Sequence, residues 1–173
     1  MIILAQNSNI RRIDELGRVV IPKDIRKKLH IKDSEPLEIF IEGDEIHIKK
    51  YSSLPDIVEY VNFLFDTSSR ITGNEYILTT REKVLLSTDP DYKEKALQEE
   101  LKKMVLSCTE MKNEQIEYLL EDSILKGNAN IVPIIVDNDR SGLLIEYNKD
   151  RAPGNMDTVK IYANLIENRL NCY

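Results

Sequence analysis

The chain has 173 residues, with 24 Lys and Arg against 30 Asp and Glu, a formal net charge of −6, and 42% hydrophobic residues. That length holds one or two small domains, and the composition is that of an ordinary globular chain, not a disordered or fibrous one. No run approaches the roughly 20 apolar residues of a membrane span, and an acidic total argues against nucleic acid only where charge is spread evenly. The opening MIILAQNSNI is too short for a signal h-region and lacks a basic n-region, so the expected location is the cytoplasm.

Two short apolar runs, Ile10 to Ile13 and Val19 to Ile21, flank Asp14-Glu15-Leu16-Gly17, where Gly17 can take the positive φ of a tight turn. This spacing predicts a hairpin. Pro22 follows, its fixed φ suited to a first helical turn, and Ile25 and Leu29 then fall on one face of a short helix that also carries Arg26, Lys27 and Lys28. From Arg11 to Lys32 there are eight basic residues against three acidic ones. Asp33 to Ile48 reverses the sign, with six carboxylates and no Lys or Arg. Segregation of this kind gives a positive face, and such a face attracts phosphate backbone whatever the overall charge. A basic run is most often a solvated surface, so the weight rests on its hairpin-helix context.

Leu37, Ile39 and Ile41 alternate with Glu38 and Glu42, and past Gly43-Asp44 the residues Ile46 and Ile48 alternate with His47 and Lys49, which predicts a second hairpin. A unit of about 50 residues buries too little apolar surface to be comfortable alone, and oligomerisation is the usual remedy.

From Ile10 to Tyr51 the run RRIDELGRVVIP, the basic helix and PLEIFIEGDEIHIKKY together resemble the AbrB-type swapped-hairpin transcription regulators. The whole layout, with about 120 residues following, is similar to that of a sporulation regulator of endospore-forming bacteria. The resemblance implies a β-rich domain over residues 1–51 that folds as a domain-swapped barrel in a homodimer and binds double-stranded DNA. Arg11, Arg18 and Arg26 stand where the family has its DNA-contacting arginines. Lys27 stands where many members have another arginine, and it keeps the charge but loses the planar fork that reads guanine edges. Arg12 is a further candidate contact. The implied sites are A/T-rich promoters read largely through DNA shape, by a cytoplasmic, nucleoid-associated protein. Addiction-module antitoxins use the same swapped hairpin, which keeps an antitoxin as the alternative.

A boundary is expected near Lys50 to Leu54, opening a second domain over residues 52–173. Ser53 and Asp56 have capping-box spacing before an amphipathic helix carrying Leu54, Ile57, Val58, Val61, Leu64 and Phe65. Its stripe can serve as core or pair with a symmetry mate. Tyr76 to Thr80 and Val84 to Ser87 predict a hairpin around Arg81-Glu82-Lys83, and Leu97, Leu101, Met104 and Val105 mark a helix. Ile116, Leu119, Leu120 and Ile124 suggest another. Ile131 to Val136 and Leu143 to Tyr147 flank the turn-rich DNDRSG, and Val159, Tyr162, Ala163, Ile166 and Leu170 close the chain with helical spacing. The order fits an α+β domain of the GAF type flanked by helices, as the resemblance also implies. Such a domain serves assembly, up to a homotetramer if barrel and helices both associate, or senses a small-molecule effector.

Residues 51 to 173 carry a net charge of −7, so this domain should stand off from DNA. It has no phosphate-cradling glycine loop. Asp137 and Asp139 read as turn residues in preference to metal ligands. Cys108 and Cys172 lack metal-ligand spacing and read as free thiols, and His30 and His47 read as structural. No cofactor or metal is expected, and no nucleophile-base arrangement supports an enzyme.

Overall fold

The computed structural model describes residues 10–29 and 31–170, and the chain divides into two compact units, residues 1–51 and 52–173. His30 and Cys172 lie outside the described residues.

In the first unit the turn predicted at Gly17 forms. Gly17 has φ +76°, its N–H donates to the Asp14 carbonyl at 2.9 Å, and the Asp14 N–H donates to the Arg18 carbonyl at 3.1 Å. The flanking arms differ from the expected hairpin, because residues 10–13 and 18–21 form no strand ladder within the single chain. Pro22 stands at the N-cap of helix α1 (Lys23–Lys28), which buries no residue and places Arg26, Lys27 and Lys28 in its last turn, where cations suit the helix dipole. Strands β1 (Leu37–Glu42) and β2 (Glu45–Lys50) form the second hairpin around Gly43, φ +60°. Its register pairs Ile39 with Ile48 and Ile41 with Ile46 on one face, and Phe40 with His47 on the other. The isoleucine face is exposed: Ile39 by 65%, Ile41 by 77% and Ile46 by 69%.

The second unit is an α+β domain built on one five-stranded antiparallel sheet of order β4-β3-β7-β6-β5. Its strands are β3 (Glu75–Thr79), β4 (Val84–Ser87), β5 (Met111–Leu120), β6 (Ser123–Val136) and β7 (Asp139–Asn148). Helices α2 (Val58–Thr72) and α4 (Met156–Leu170) cover one face, and α3 (Glu99–Ser107) covers the other. Val61 and Phe65 of α2 and Val159, Ala163 and Ile166 of α4 pack on Tyr76, Leu78, Ile134 and Leu144. Leu101 and Val105 of α3 pack with Ile77, Ile116, Ile131 and Ile145 on the opposite side. The apolar stripe that opens this unit is therefore core. Leu54 and Ile57 belong to that core too, in a short 3-10 turn, Leu54–Ile57, and Ser53 makes no side-chain cap bond, so the Ser53 half of the expected capping box does not form.

A second correction concerns Ile116 to Ile124, read as a helix and found as the hairpin of β5 and β6. Ile116, Tyr118 and Leu120 are buried at a period of two, whereas Leu119 and Ile124 are exposed and face each other across the register. Asp137 and Asn138 both take positive φ, 52° and 60°, and make the tight turn between β6 and β7. Asp139 pairs with Arg81 at 2.7 Å. The short segment before α3 ties two strands together: the Val84 N–H donates to the Lys95 carbonyl at 2.9 Å and the Glu121 N–H donates to the Ala96 carbonyl at 3.1 Å.

Candidate nucleic-acid interface

The sequence Asp14-Glu15-Leu16-Gly17-Arg18 builds one side of the candidate site through a single carboxylate. Asp14 Oδ1 accepts the backbone N–H groups of Leu16 at 3.0 Å and Arg18 at 2.8 Å, and Oδ2 accepts Nε of Arg18 at 2.8 Å. The first two bonds make an Asx turn, which aspartate favours. The third holds the guanidinium by its Nε, and its two Nη nitrogens carry no bond among the described residues. The Asp14 carboxyl is accordingly held below the ordinary carboxylate range, first by the Arg18 backbone N–H and then by the guanidinium.

Arg26, on α1, donates from Nη1 to Asp33 Oδ1 at 2.8 Å. It lines a shallow depression with Lys23, Lys27, Ile31, Lys32 and Asp33, so the sequence brings four cations together on and just beyond the short helix. Arg11, Arg12, Arg18 and Lys27 are exposed, and Arg26 is partly so. Arg11 Nη1 donates to the neighbouring Ile10 carbonyl at 3.2 Å, and Arg11 also borders an apolar groove of Val19, Val20, Ile21, Pro22, Ile25, Leu29, Ile31 and Ile48. Two of the five candidate residues, Arg26 and Lys27, thus share one depression, Arg18 sits on the turn, and Arg11 sits at the groove rim.

The polar face of the β1–β2 hairpin has a different character. His47 stacks on Phe40 with ring centroids 5.3 Å apart and lies 3.3 Å from a Glu45 oxygen, and Lys49 lies 3.2 Å from Glu38 and over the Phe40 ring. Cation and carboxylate largely offset each other there.

Sequence reasoning missed the second unit's polar centre. Glu146, 1% exposed, accepts from Asn74 Nδ2, from the Tyr76 hydroxyl and from Asn130 Nδ2, each at 2.9 Å. Asn130 also donates to the Gly154 carbonyl at 3.0 Å, which fastens the chain ahead of α4 to the sheet. On the opposite face Asp89 accepts from the Tyr147 hydroxyl and from Lys149, both at 3.0 Å. The signal was a lone carboxylate inside the apolar run LLIEYN. Among the described residues no group of three His, Cys, Asp or Glu could hold a metal ion, and no helix is long and apolar enough to cross a membrane. Cys108 is a buried free thiol, its pKa pushed up by burial.

Residues 10–56 match the family described as antidote-toxin recognition MazE, bacterial antitoxin. Over 157 residues the chain is 29% identical to stage V sporulation protein T of Bacillus subtilis, covering 86% of this chain and 87% of that protein. It is 34% identical over 71 residues to the transition state regulatory protein AbrB of the same organism, covering 40% of this chain and 72% of AbrB. The match to AbrB spans most of that protein, and the match to the sporulation protein runs through both units. The chain belongs to the AbrB family of transition state regulators.

Proposed function

We propose that this chain is a DNA-binding transcription regulator of the transition-state and sporulation type, acting as a homo-oligomer on double-stranded DNA in the cytoplasm, in association with the nucleoid. The observation that carries the reading is the outward display of Arg18 on a rigid turn and of Arg26 and Lys27 on the adjoining helix, in a chain of this family. Arg11 and Arg12 complete the proposed contact set. Arginine forks suit phosphates and guanine edges, and lysine supplies charge to the backbone. A/T-rich promoter sites read through groove width and deformability fit a set this small.

Assembly follows from what a single first unit leaves undone. The unladdered arms around Gly17 and the exposed face of Ile39, Ile41 and Ile46 suit a second copy whose arms and hairpin interleave with these, giving the swapped-hairpin barrel. Residues 1–51 are then the DNA-binding domain. Residues 52–173 are a GAF-like domain for assembly, up to a homotetramer, or for sensing a small molecule. The regulators among its relatives support a non-enzymatic role.

The test is titration of an A/T-rich duplex with the full chain at several salt concentrations, beside Arg18→Ala and Arg26→Ala. The expected result is binding that weakens steeply with salt and falls by about 1–3 kcal/mol in each variant that loses a base contact. The match of residues 10–56 to the MazE antitoxin family favours one second reading, a protein-binding antitoxin module. Absence of DNA binding by the full chain would support it.

A further inference from the structure

Arginine reads a base only when its fork is held in one orientation, because a long side chain left free loses rotamer entropy on binding. Asp14 supplies that hold. The side chain is fixed at both ends: Oδ1 is pinned by two backbone N–H groups at 3.0 and 2.8 Å, and Oδ2 takes Nε of Arg18 at 2.8 Å. The backbone between them is closed by the bonds of Gly17 and Asp14, and Gly17 supplies the positive φ that brings the Arg18 amide back over the carboxylate. Engagement through Nε leaves the Nη pair, the edge that meets O6 and N7 of guanine or two oxygens of a phosphate.

Arg26 is held differently. Its partner Asp33 takes Nη1, one of the nitrogens that a nucleic acid would need. The two carboxylates therefore act in opposite ways: one orients an arginine and the other competes for it.

We infer that Asp14 is a positioning residue that sets Arg18 as the base-reading side chain, while Arg26 acts as a phosphate contact released from Asp33 when DNA arrives. This rests on the DNA-binding reading above and assigns separate roles within it.

The experiment uses the full chain and two duplexes, one selected from a random pool by the wild-type chain and one of the same composition with its sequence scrambled. The principal variant is Asp14→Asn, which keeps an oxygen for the turn's two amides but presents an NH2 group to Nε of Arg18. A second variant, Arg18→Lys, keeps the charge and the fold but has no fork. The expected result is that both lower the selected-to-scrambled affinity ratio by about fivefold or more, with an unchanged salt slope and, for Asp14→Asn, scrambled-duplex binding as tight as wild type or tighter. A uniform tightening on both duplexes in Asp14→Asn, with the ratio intact, would overturn the inference and leave Asp14 as a turn residue whose charge merely repels phosphate. That outcome leaves the DNA-binding reading standing. Failure of the wild-type chain to select any duplex would remove the reading and the inference together.

Discussion

Removing one hydroxyl, in Tyr76→Phe, tests whether Glu146 organises the second unit. Tyr76 is fully buried between the rings of Phe65 at 5.5 Å and Tyr162 at 6.0 Å, and the substitution keeps all of that packing. Only the bond to Glu146 Oε1 at 2.9 Å and the longer contact to Thr72 Oγ1 at 3.4 Å are lost. Burial pushes the Tyr76 phenol pKa far up, so it remains a donor at every accessible pH. A hydrogen bond to a charged group contributes about 1.5–3 kcal/mol, and no water can replace it where both partners are at most 1% exposed. For a unit of this size that is a fall in Tm of about 5–15 °C. Tyr147→Phe is the matched control. Its partner Asp89 keeps Lys149 and the Asp91 N–H and its side chain is 10% exposed, so the loss should be smaller, about 1 kcal/mol. The chain has no Trp and eight Tyr, of which only Tyr51 lies in the first unit. Near-ultraviolet circular dichroism during urea unfolding therefore follows the second unit. A change below about 0.5 kcal/mol in Tyr76→Phe, or equal changes in both variants, would refute the argument from a buried carboxylate held by neutral donors.

Three further outcomes are expected. In Gly142→Ala the new Cβ would stand 1.8 Å from the Thr79 carbonyl oxygen, so β3 and β7 must part; unfolding experiments should show a loss of about 3 kcal/mol, the upper end for overpacking. Burial raises the pKa of Asp89, but the Asp91 N–H, Lys149 and Tyr147 outweigh it and hold the carboxyl below 3.8; its stabilising effect is full above the unfolded value and fades as pH falls through the folded one. In Lys149→Met the folded value should rise toward the unfolded one, so stability at neutral pH should fall and the part of the acid decline that Asp89 contributes should shrink, its onset unchanged, in a plot of stability against pH. Asp33→Asn, which frees Arg26 Nη1, should tighten binding to selected and scrambled duplexes alike in a fluorescence anisotropy titration, with the ratio between them unchanged.

Local chemistry explains which elements could be read from the amino-acid order. β1 and β2 were legible because Ile and Glu alternate on both sides of a Gly43-Asp44 turn, and α4 because Val159, Ala163, Ile166 and Leu170 hold one helical face. β5 was not, because Leu119 is apolar on an exposed face and, with Ile116, Leu120 and Ile124, imitates a helical spacing. The turn at Gly17 was legible from one glycine, but the hairpin expected of its arms was not found, since residues 10–13 and 18–21 make no ladder within the single chain. The basic side chains of the candidate interface stood out by charge. Their holders, Asp14 and Asp33, did not, because an aspartate beside a turn reads as turn chemistry until the distance to an arginine is known. The Glu146 centre needed the sheet itself: Tyr76, Glu146 and Asn130 become neighbours only through the pairing of β3, β7 and β6.

The two units also differ in how much of their folding each completes alone. In the second, apolar residues from three helices and five strands close over both faces of one sheet. The first exposes Ile10, Ile13, Leu16, Val20, Ile39, Ile41 and Ile46 by 65% or more, a proportion that a free unit of this size would not tolerate in water. If a second copy covers that face, folding of the DNA-binding unit and assembly are one equilibrium, and the arginines of two copies reach a duplex only as a pair. A self-sufficient second unit that self-associates would then raise the effective concentration of the first. DNA affinity in the proposed regulator should consequently respond to substitutions on the isoleucine face as strongly as to loss of an arginine: Ile41→Glu, which touches no proposed contact residue, should abolish duplex binding and leave the unfolding of the second unit unchanged. Retention of wild-type affinity by that variant would separate assembly from DNA binding and exclude the swapped arrangement.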